Sequence, residues 1–216
     1  MLLLQPTTER LFQQDELIPH AVQCTIRFLD ARGVSARFSR NPVAHGCEDA
    51  ASKRLRNGRR GIPLTDELKS LAGAYVTGGY SEHVFLCHIP ANRRFDIRKI
   101  RAALGAPQRP RWLSAEGCQR LGIGFGRVNP FFEGMSHVFD RSLLNREGPM
   151  MTNAGDRTWG VEFCPADLIR SIHGTIIADV VVCDANDQDD KQLRSPEIDP
   201  IASRETQAGE RAIAQI

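Results

Sequence analysis

The sequence predicts an α+β fold: mixed α/β layers in which a mixed β-sheet core is flanked by helices. Three observations lead there. Helix-like and strand-like segments are interleaved along the chain, but hairpins and short links join them, so the order is not a regular βαβ series. Two apolar runs, "ELKSLAGAYV" (67–76) and "HVFLCHI" (83–89), flank a Gly-Gly turn and read as a hairpin. A third run, "TIIADVVVC" (175–183), has the apolar, β-branched composition of a buried strand.

The elements follow in order. Residues 13–32 read as an amphipathic helix, with Leu17, Ile18, Ala21, Val22, Thr25, Ile26 and Leu29 on one stripe and Gly33 ending it. "SARFS" (35–39) alternates like a short strand, and "CEDAASKRLRNG" (47–58) is a second helix that stops at Gly58. After the hairpin, "DIRKIRAALG" (96–105) starts at an Asp N-cap and ends at glycine. "SAEGCQRLG" (114–122) repeats that grammar with Ser114. Strands are expected at "HVFD", "PMMTN" and "TWGVEFC", and "PADLIRSIH" (165–173) carries proline at the first position of a helix.

At 216 residues, 41% hydrophobic and 25% charged, the chain has the composition of a soluble globular domain with an appendage. We expect a folded domain over residues 1–183. Residues 184–216 are acidic at first, contain proline and have few apolar side chains, so they read as a linker or disordered tail. The net charge of +2 excludes a generally polybasic coat, yet 24 of the 28 basic residues are arginine and they cluster, as in "KRLRNGRR" (53–60). Clusters of that kind suit a polyanionic partner. "MLLLQP" lacks the basic start and apolar length of a signal peptide, and no run approaches a membrane span. Six scattered cysteines without C-x-x-C spacing argue for reduced thiols in a cytoplasmic protein.

Chemistry-bearing motifs are few. In "GIGFGRVNP" (122–130) three glycines alternate, but Pro130 and two phenylalanines follow where a dinucleotide fingerprint needs a helix. The loop reads as a turn where Gly126 allows close backbone approach and Pro130 stiffens the exit. His83, Cys87 and His88 do not make a metal site, because Cys87 and His88 point to opposite faces of a strand. No cysteine has a setting that would activate it, and no G-x-S-x-G elbow is present. "MTNAGD" (151–156) is a polar turn between two strands. Lys69 stands out, because an arginine-rich chain has put a compact ammonium where an apolar strand begins, on the face of Leu71 and Tyr75. A strand-end cation and a ligand-binding cation are both open on these grounds.

Taken together, "CEDAASKR…GIPLTDELKSL", "HVFLCHIPANRRFDIRKIRAALG", "GRVNP", "HVFDRSLL" and "MMTNAGD…VEFCPADLIR" resemble, in order and spacing, the YbaK/prolyl-tRNA synthetase editing-domain family over about residues 15–183. The resemblance implies that family's fold and an aminoacyl-tRNA deacylase, which hydrolyses the ester of tRNA mischarged with a small amino acid. It implies no metal and no cofactor, and its partner would be the acceptor end of aminoacyl-tRNA. By the same resemblance Lys69 and Gly126 would be the catalytic positions, with Lys69 holding the terminal ribose and phosphate. Arg127, Val128, Asn129 and Pro130 would grip the aminoacyl group beside Gly126. Asn153, Ala154 and Gly155 would line the same pocket, with Asp156 at its margin. Three features depart from the pattern: the arginine-rich insertion, the bulk of Phe131 and Phe132 beside the pocket, and the tail. They leave open a non-catalytic aminoacyl- or RNA-binding module that regulates a partner or a fused domain through the tail. An editing-like domain cut from a longer polypeptide is the third reading.

Overall fold

The computed structural model describes residues 9–10, 17–79, 81–124 and 126–183. The chain divides into two units, Met1–Val182 and Cys183–Ile216, and of the second only Cys183 is described. The expected tail therefore lies outside the described residues.

In chain order the elements are β1 (Glu9–Arg10), α1 (His20–Ala31), β2 (Ala36–Arg40), α2 (Cys47–Lys53), β3 (Leu55–Arg56), β4 (Arg59–Arg60), a 3-10 turn (Leu64–Asp66), β5 (Leu68–Thr77), β6 (Ser81–Pro90), α3 (Ile97–Ala103), β7 (Arg111–Trp112), α4 (Ala115–Arg120), β8 (Ser136–Asp140), α5 (Arg141–Leu144), β9 (Met150–Asn153), β10 (Trp159–Phe163), α6 (Pro165–Ser171) and β11 (Ile176–Ala178). They build two main sheets of mixed direction with helices packed against them, the α+β class expected. One sheet has the order β1-β2-β10-β9, the other β11-β8-β6-β5-β7. The long hairpin is the spine of the second sheet, in register from Leu68 opposite Pro90 to Thr77 opposite Ser81. β6 then pairs in parallel with β8, and β8 in parallel with β11. A bridge between Glu67 and Met151 brings the start of β5 to β9 of the other sheet.

Three apolar clusters hold these layers. The largest seats α1 and α6 on the first sheet, with Phe38, Trp159, Val161 and Phe163 against Val22, Leu29 and Leu168. A second packs Phe85, Cys87 and Ile89 of β6 against Ile100 of α3. The third, Ala72, Leu86, Cys118 and Ile123, fixes α4 under the opposite face of the hairpin. Local capping follows the sequence: Asp96 accepts from the N–H groups of Arg98 and Lys99, Ser114 accepts from Gly117, and Pro165 opens α6.

Four expectations need correction. α1 starts at His20, after Pro19, and Leu17 is 92% exposed, so the stripe begins later and takes in Phe28 instead. α2 ends at Lys53, not Gly58, because Arg54 leaves the helix to bury its guanidinium and the next residues form a hairpin. Its two-residue turn is Asn57-Gly58, both at positive φ (52° and 75°), the geometry that Asn-Gly supplies. "TIIADVVVC" is a strand only over Ile176–Ala178, because Asp179 turns to Lys99 and the Asp140 carboxylate takes the Val180 N–H; beyond it Val181 bridges antiparallel to Phe95 instead. Phe131 does not narrow the cavity that Lys69 lines; it is buried in the main core, edge-on to Phe28 and Phe163. The short β7 and α5 lie outside the elements expected.

Two buried polar groupings cross the core. The first is an ion pair: Arg54 donates from Nε to Glu67 Oε2 (2.9 Å) and from Nη2 to Oε1 (2.6 Å), and each side chain is only 3% exposed. Burial raises the Glu67 carboxyl above its ordinary range, while Arg54 and Arg56 pull it back. Gly160 of β10 makes room for this guanidinium, since a Cβ there would stand 2.9 Å from Arg54 Nη1 and 2.8 Å from Asn41 Nδ2. The second joins β5, β6 and β8. Ser70 Oγ lies 2.8 Å from His88 Nδ1, His88 Nε2 lies 3.1 Å from His137 Nδ1, and His137 Nε2 lies 2.9 Å from the Phe132 carbonyl. Burial, and then the neighbouring His137, hold His88 well below the usual imidazole range. Burial lowers His137 as well, and Arg32 adds to this against the Phe132 hydrogen bond.

Two predictions follow from these groupings. Glu67→Ala leaves Arg54 charged and unpaired in the core and should cost about 3–5 kcal/mol in a urea melt, whereas the double change Arg54→Met, Glu67→Leu should cost far less. For the histidines, both rings stay neutral in the fold and regain their ordinary affinity for protons on unfolding. The unfolded chain therefore binds more protons below about pH 6.5, and stability falls as the pH falls through that value. The thermal midpoint should be lower at about pH 5.5 than at about pH 7.5, and His88→Phe should reduce that difference. A difference unaltered by His88→Phe would place the titration elsewhere.

Candidate active site

β7 meets β5 only at Gly73 and Ala74, and Leu113 donates to the Ala72 carbonyl. Among the described residues no strand pairs with β5 on that side between Ala72 and the Glu67–Met151 bridge. A cleft of about 590 Å³ fills the gap. Its floor is Leu68 to Ala72, and one wall is formed by residues 44–47 with Ala50 and Arg54. The other is formed by Leu113, Cys118, Gly126 and Val128, and Thr152, Asn153 and Arg157 complete the lining. Arg157 holds the first wall by donating from Nε and Nη2 to the Ala44 carbonyl (3.0 and 2.9 Å).

Lys69 lies at the cleft's edge, half-buried. Its ammonium donates to the Ala91 carbonyl (3.2 Å) and to the Arg93 carbonyl, and stands 5.5 Å above the Phe95 ring. Burial lowers its pKa, with the nearby Cys47 thiol acting in the opposite sense. Burial, then the Glu67 carboxylate, push the Cys47 thiol up against the pull of Lys69 and Arg54, so the thiol stays protonated. An ammonium carries three donors, and two are spent on the turn after β6. These two bonds leave the third N–H unused.

The glycine loop is set by two asparagines. Asn129 is 2% exposed, donates to Asn153 Oδ1 (3.2 Å) and accepts the Phe131 N–H (3.0 Å). Asn153 donates in turn to the Val128 carbonyl (3.1 Å) and accepts from Gly155 N–H (3.1 Å). The loop is thus pinned to the end of β9. Gly126 has φ +73°, the left-handed region, and a Cβ added there would meet nothing within 4 Å.

Of the residues expected from sequence, the fold brings Lys69, Gly126, Val128 and Asn153 to this one cleft. Arg127, Asn129 and Gly155 line a second cavity, about 630 Å³, behind the loop against α1. Pro130 is buried, and Ala154 is buried in the core, its carbonyl accepting from Thr25 Oγ1 (3.0 Å). Asp156 serves its own turn: burial raises its carboxyl, but the Thr158 hydroxyl and N–H outweigh this and leave the pKa lowered. Cys47, Arg54, Glu67 and Ser70 line the cleft without having been singled out. Only Ser70 had a local signal, its place next to Lys69. Among the described residues no three His, Cys, Asp or Glu side chains meet to hold a metal ion, and no helix is long and apolar enough to cross a membrane.

Comparison with known proteins agrees with this architecture. No curated protein sequence matches the chain. The hypothetical protein APE2540 superposes with a TM-score of 0.61 at 23% identity, over 74% of this chain and 99% of that one. A candidate trans-editing enzyme for prolyl tRNA synthetase gives a TM-score of 0.60 at 20% identity, over 77% of this chain and 100% of that one. At such identities the likeness is one of fold. The sequence profile of the aminoacyl-tRNA editing domain matches residues 43–171, from the cleft wall before α2 to the end of α6. That span is more than half of the sequence and includes every wall of the cleft: the chain belongs to the aminoacyl-tRNA editing domain family.

Proposed function

We propose that the chain is an aminoacyl-tRNA deacylase that removes a small, wrongly attached amino acid from the acceptor end of tRNA. The observation that carries this reading is the convergence of a partly satisfied ammonium, Lys69, with the Gly126 loop and Asn153 on one cleft. The cleft takes the terminal adenosine and its ester. The remaining N–H of Lys69 binds an oxygen of the ribose or its phosphate. The backbone at Gly126 to Val128 lies along the aminoacyl group. Ala50, Ala72 and Leu68 line the cleft with apolar surface, which suits a short side chain.

The reaction is ester hydrolysis. Water adds to the carbonyl carbon, the bond from that carbon to the ribose oxygen breaks, and a proton from the water ends on the ribose hydroxyl. No covalent protein intermediate is required, in keeping with a Cys47 thiol held protonated. The reading includes no metal. The test is hydrolysis of a panel of mischarged tRNAs by the purified chain, followed as loss of the aminoacyl bond. Saturable binding with no turnover would instead favour the non-catalytic module.

Two variants probe the assignment. Lys69→Ala should abolish deacylation, with a stability loss of about 1 kcal/mol from the freed Ala91 and Arg93 carbonyls. Lys69→Arg should also fail, because a planar fork cannot make the two carbonyl bonds of a compact ammonium in the same space; full activity in Lys69→Arg would show that the reaction needs no compact ammonium here. Gly126→Ala should lower single-turnover deacylation roughly a hundredfold, the scale of a reacting group displaced by about 1 Å. The left-handed φ should cost about 1 kcal/mol of stability besides. A lowered urea midpoint at an unchanged rate would assign Gly126 to turn geometry alone.

A further inference from the structure

Ser70 ends the buried chain that runs through His88 and His137, and it lines the cleft. The direction of that chain follows from its far end. The Phe132 oxygen is a carbonyl and can only accept, so His137 donates to it from Nε2. A neutral imidazole carries one N–H, which leaves His137 Nδ1 as an acceptor. His88 must then donate from Nε2 to His137, and its own Nδ1 accepts. Among the described residues the group facing His88 Nδ1, across 2.8 Å, is the Ser70 hydroxyl, which therefore donates inward. Both rings are buried and stacked, 5.4 Å between centroids, and burial keeps them neutral, so the direction is fixed. The Ser70 proton is turned away from the cleft, and the oxygen offers the cleft lone pairs alone.

Among the described residues, the other side-chain acceptors on the cleft are engaged or buried: Thr152, 1% exposed, donates its hydroxyl to the Leu68 carbonyl (3.4 Å) and has little open surface for a water. Glu67 gives both carboxylate oxygens to Arg54, and Asn153 Oδ1 accepts from Asn129 and Gly155. His45 Nδ1 faces the Arg157 guanidinium. Hydrolysis needs a water whose O–H bonds are accepted by the site while its oxygen lone pair is aimed at the ester. An oxygen that never donates imposes that orientation, whereas a freely rotating hydroxyl permits the opposite one.

We infer that Ser70 holds the attacking water in the cleft as a hydrogen-bond acceptor, and that His88 and His137 are positioning residues that keep its hydroxyl turned inward. This rests on the deacylase reading. Ser70 is not a nucleophile here, because moving its proton inward would create an imidazolium at His88, which is fully buried against Phe139 and His137.

The experiment uses the full chain and the mischarged tRNA that it hydrolyses fastest. Ser70→Ala should lower the single-turnover rate constant roughly a hundredfold, with half-saturation unchanged within about twofold. Ser70→Thr should keep most of the rate. His88→Phe should lose rate, and His88→Gln, which retains one acceptor and one donor, should regain part of it; urea melts run alongside separate unfolding from lost positioning. Nitrogen-15 NMR of the wild-type rings should place the protons of both His88 and His137 on Nε2. A wild-type rate in Ser70→Ala, a raised half-saturation without a lowered rate, equal rates in His88→Phe and His88→Gln, or a proton on His88 Nδ1 would each overturn the inference. A wild-type chain that hydrolyses no aminoacyl ester would instead sink the reading of the site, and the inference with it.

Discussion

Glu67 is the residue on which the arrangement depends. Its side chain closes the buried pair with Arg54, its backbone bridges to Met151 of the other sheet, and its carbonyl accepts from Ala91 N–H at 2.8 Å. Ala91 belongs to the turn whose carbonyls hold the Lys69 ammonium. One residue thus couples the wall contributed by α2, the junction of the two sheets and the cation at the cleft. Burying such a pair is expensive, and the raised pKa of Glu67 reflects that expense. The structure retains it where four segments must meet in one register, and an apolar substitute would fill the space without naming a partner.

The loop from Gly122 to Pro130 illustrates a second constraint. Ile123 anchors its start in the third apolar cluster, but Gly126 and Val128 must also stand at fixed positions across from β5. Asn129 and Asn153 solve this by exchanging side-chain and backbone hydrogen bonds inside the protein, where they are shielded from competing water. The same loop separates the cleft from the cavity against α1. Asn129, though one of the residues expected to bind substrate, is placed here as a support of the wall.

What the sequence made legible was local. The hairpin, the caps at Asp96 and Ser114 and the proline start of α6 are written in neighbouring residues, and each formed where its signal stood. The Asn57-Gly58 turn was equally local, but a helical reading of "CEDAASKRLRNG" covered it. The pairing of Arg54 with Glu67 spans 13 residues and that of His88 with His137 spans 49. Neither has a spacing rule, because each depends on which strands become neighbours. Parallel pairing of β6 with β8 also leaves no local mark, so a serine and two histidines could not be joined into one chain by reading along the polypeptide. Lys69 was recognised as unusual because an arginine-rich chain chose otherwise there, but its two carbonyl anchors come from a turn more than twenty residues away.

The space that Gly160 leaves for Arg54 has a consequence for how this sequence can drift. A side chain at 160 would displace the guanidinium, loss of the guanidinium would strand the Glu67 carboxylate, and loss of the carboxylate would strand the guanidinium. No one of the three positions can change first without crossing a poorly folded intermediate. Lineages that carry this domain are therefore expected to inherit Arg54, Glu67 and Gly160 as a block or to replace them together. Such a block acts as a historical lock on the cleft wall, while the solvent-facing arginines of the adjoining hairpin remain free to vary.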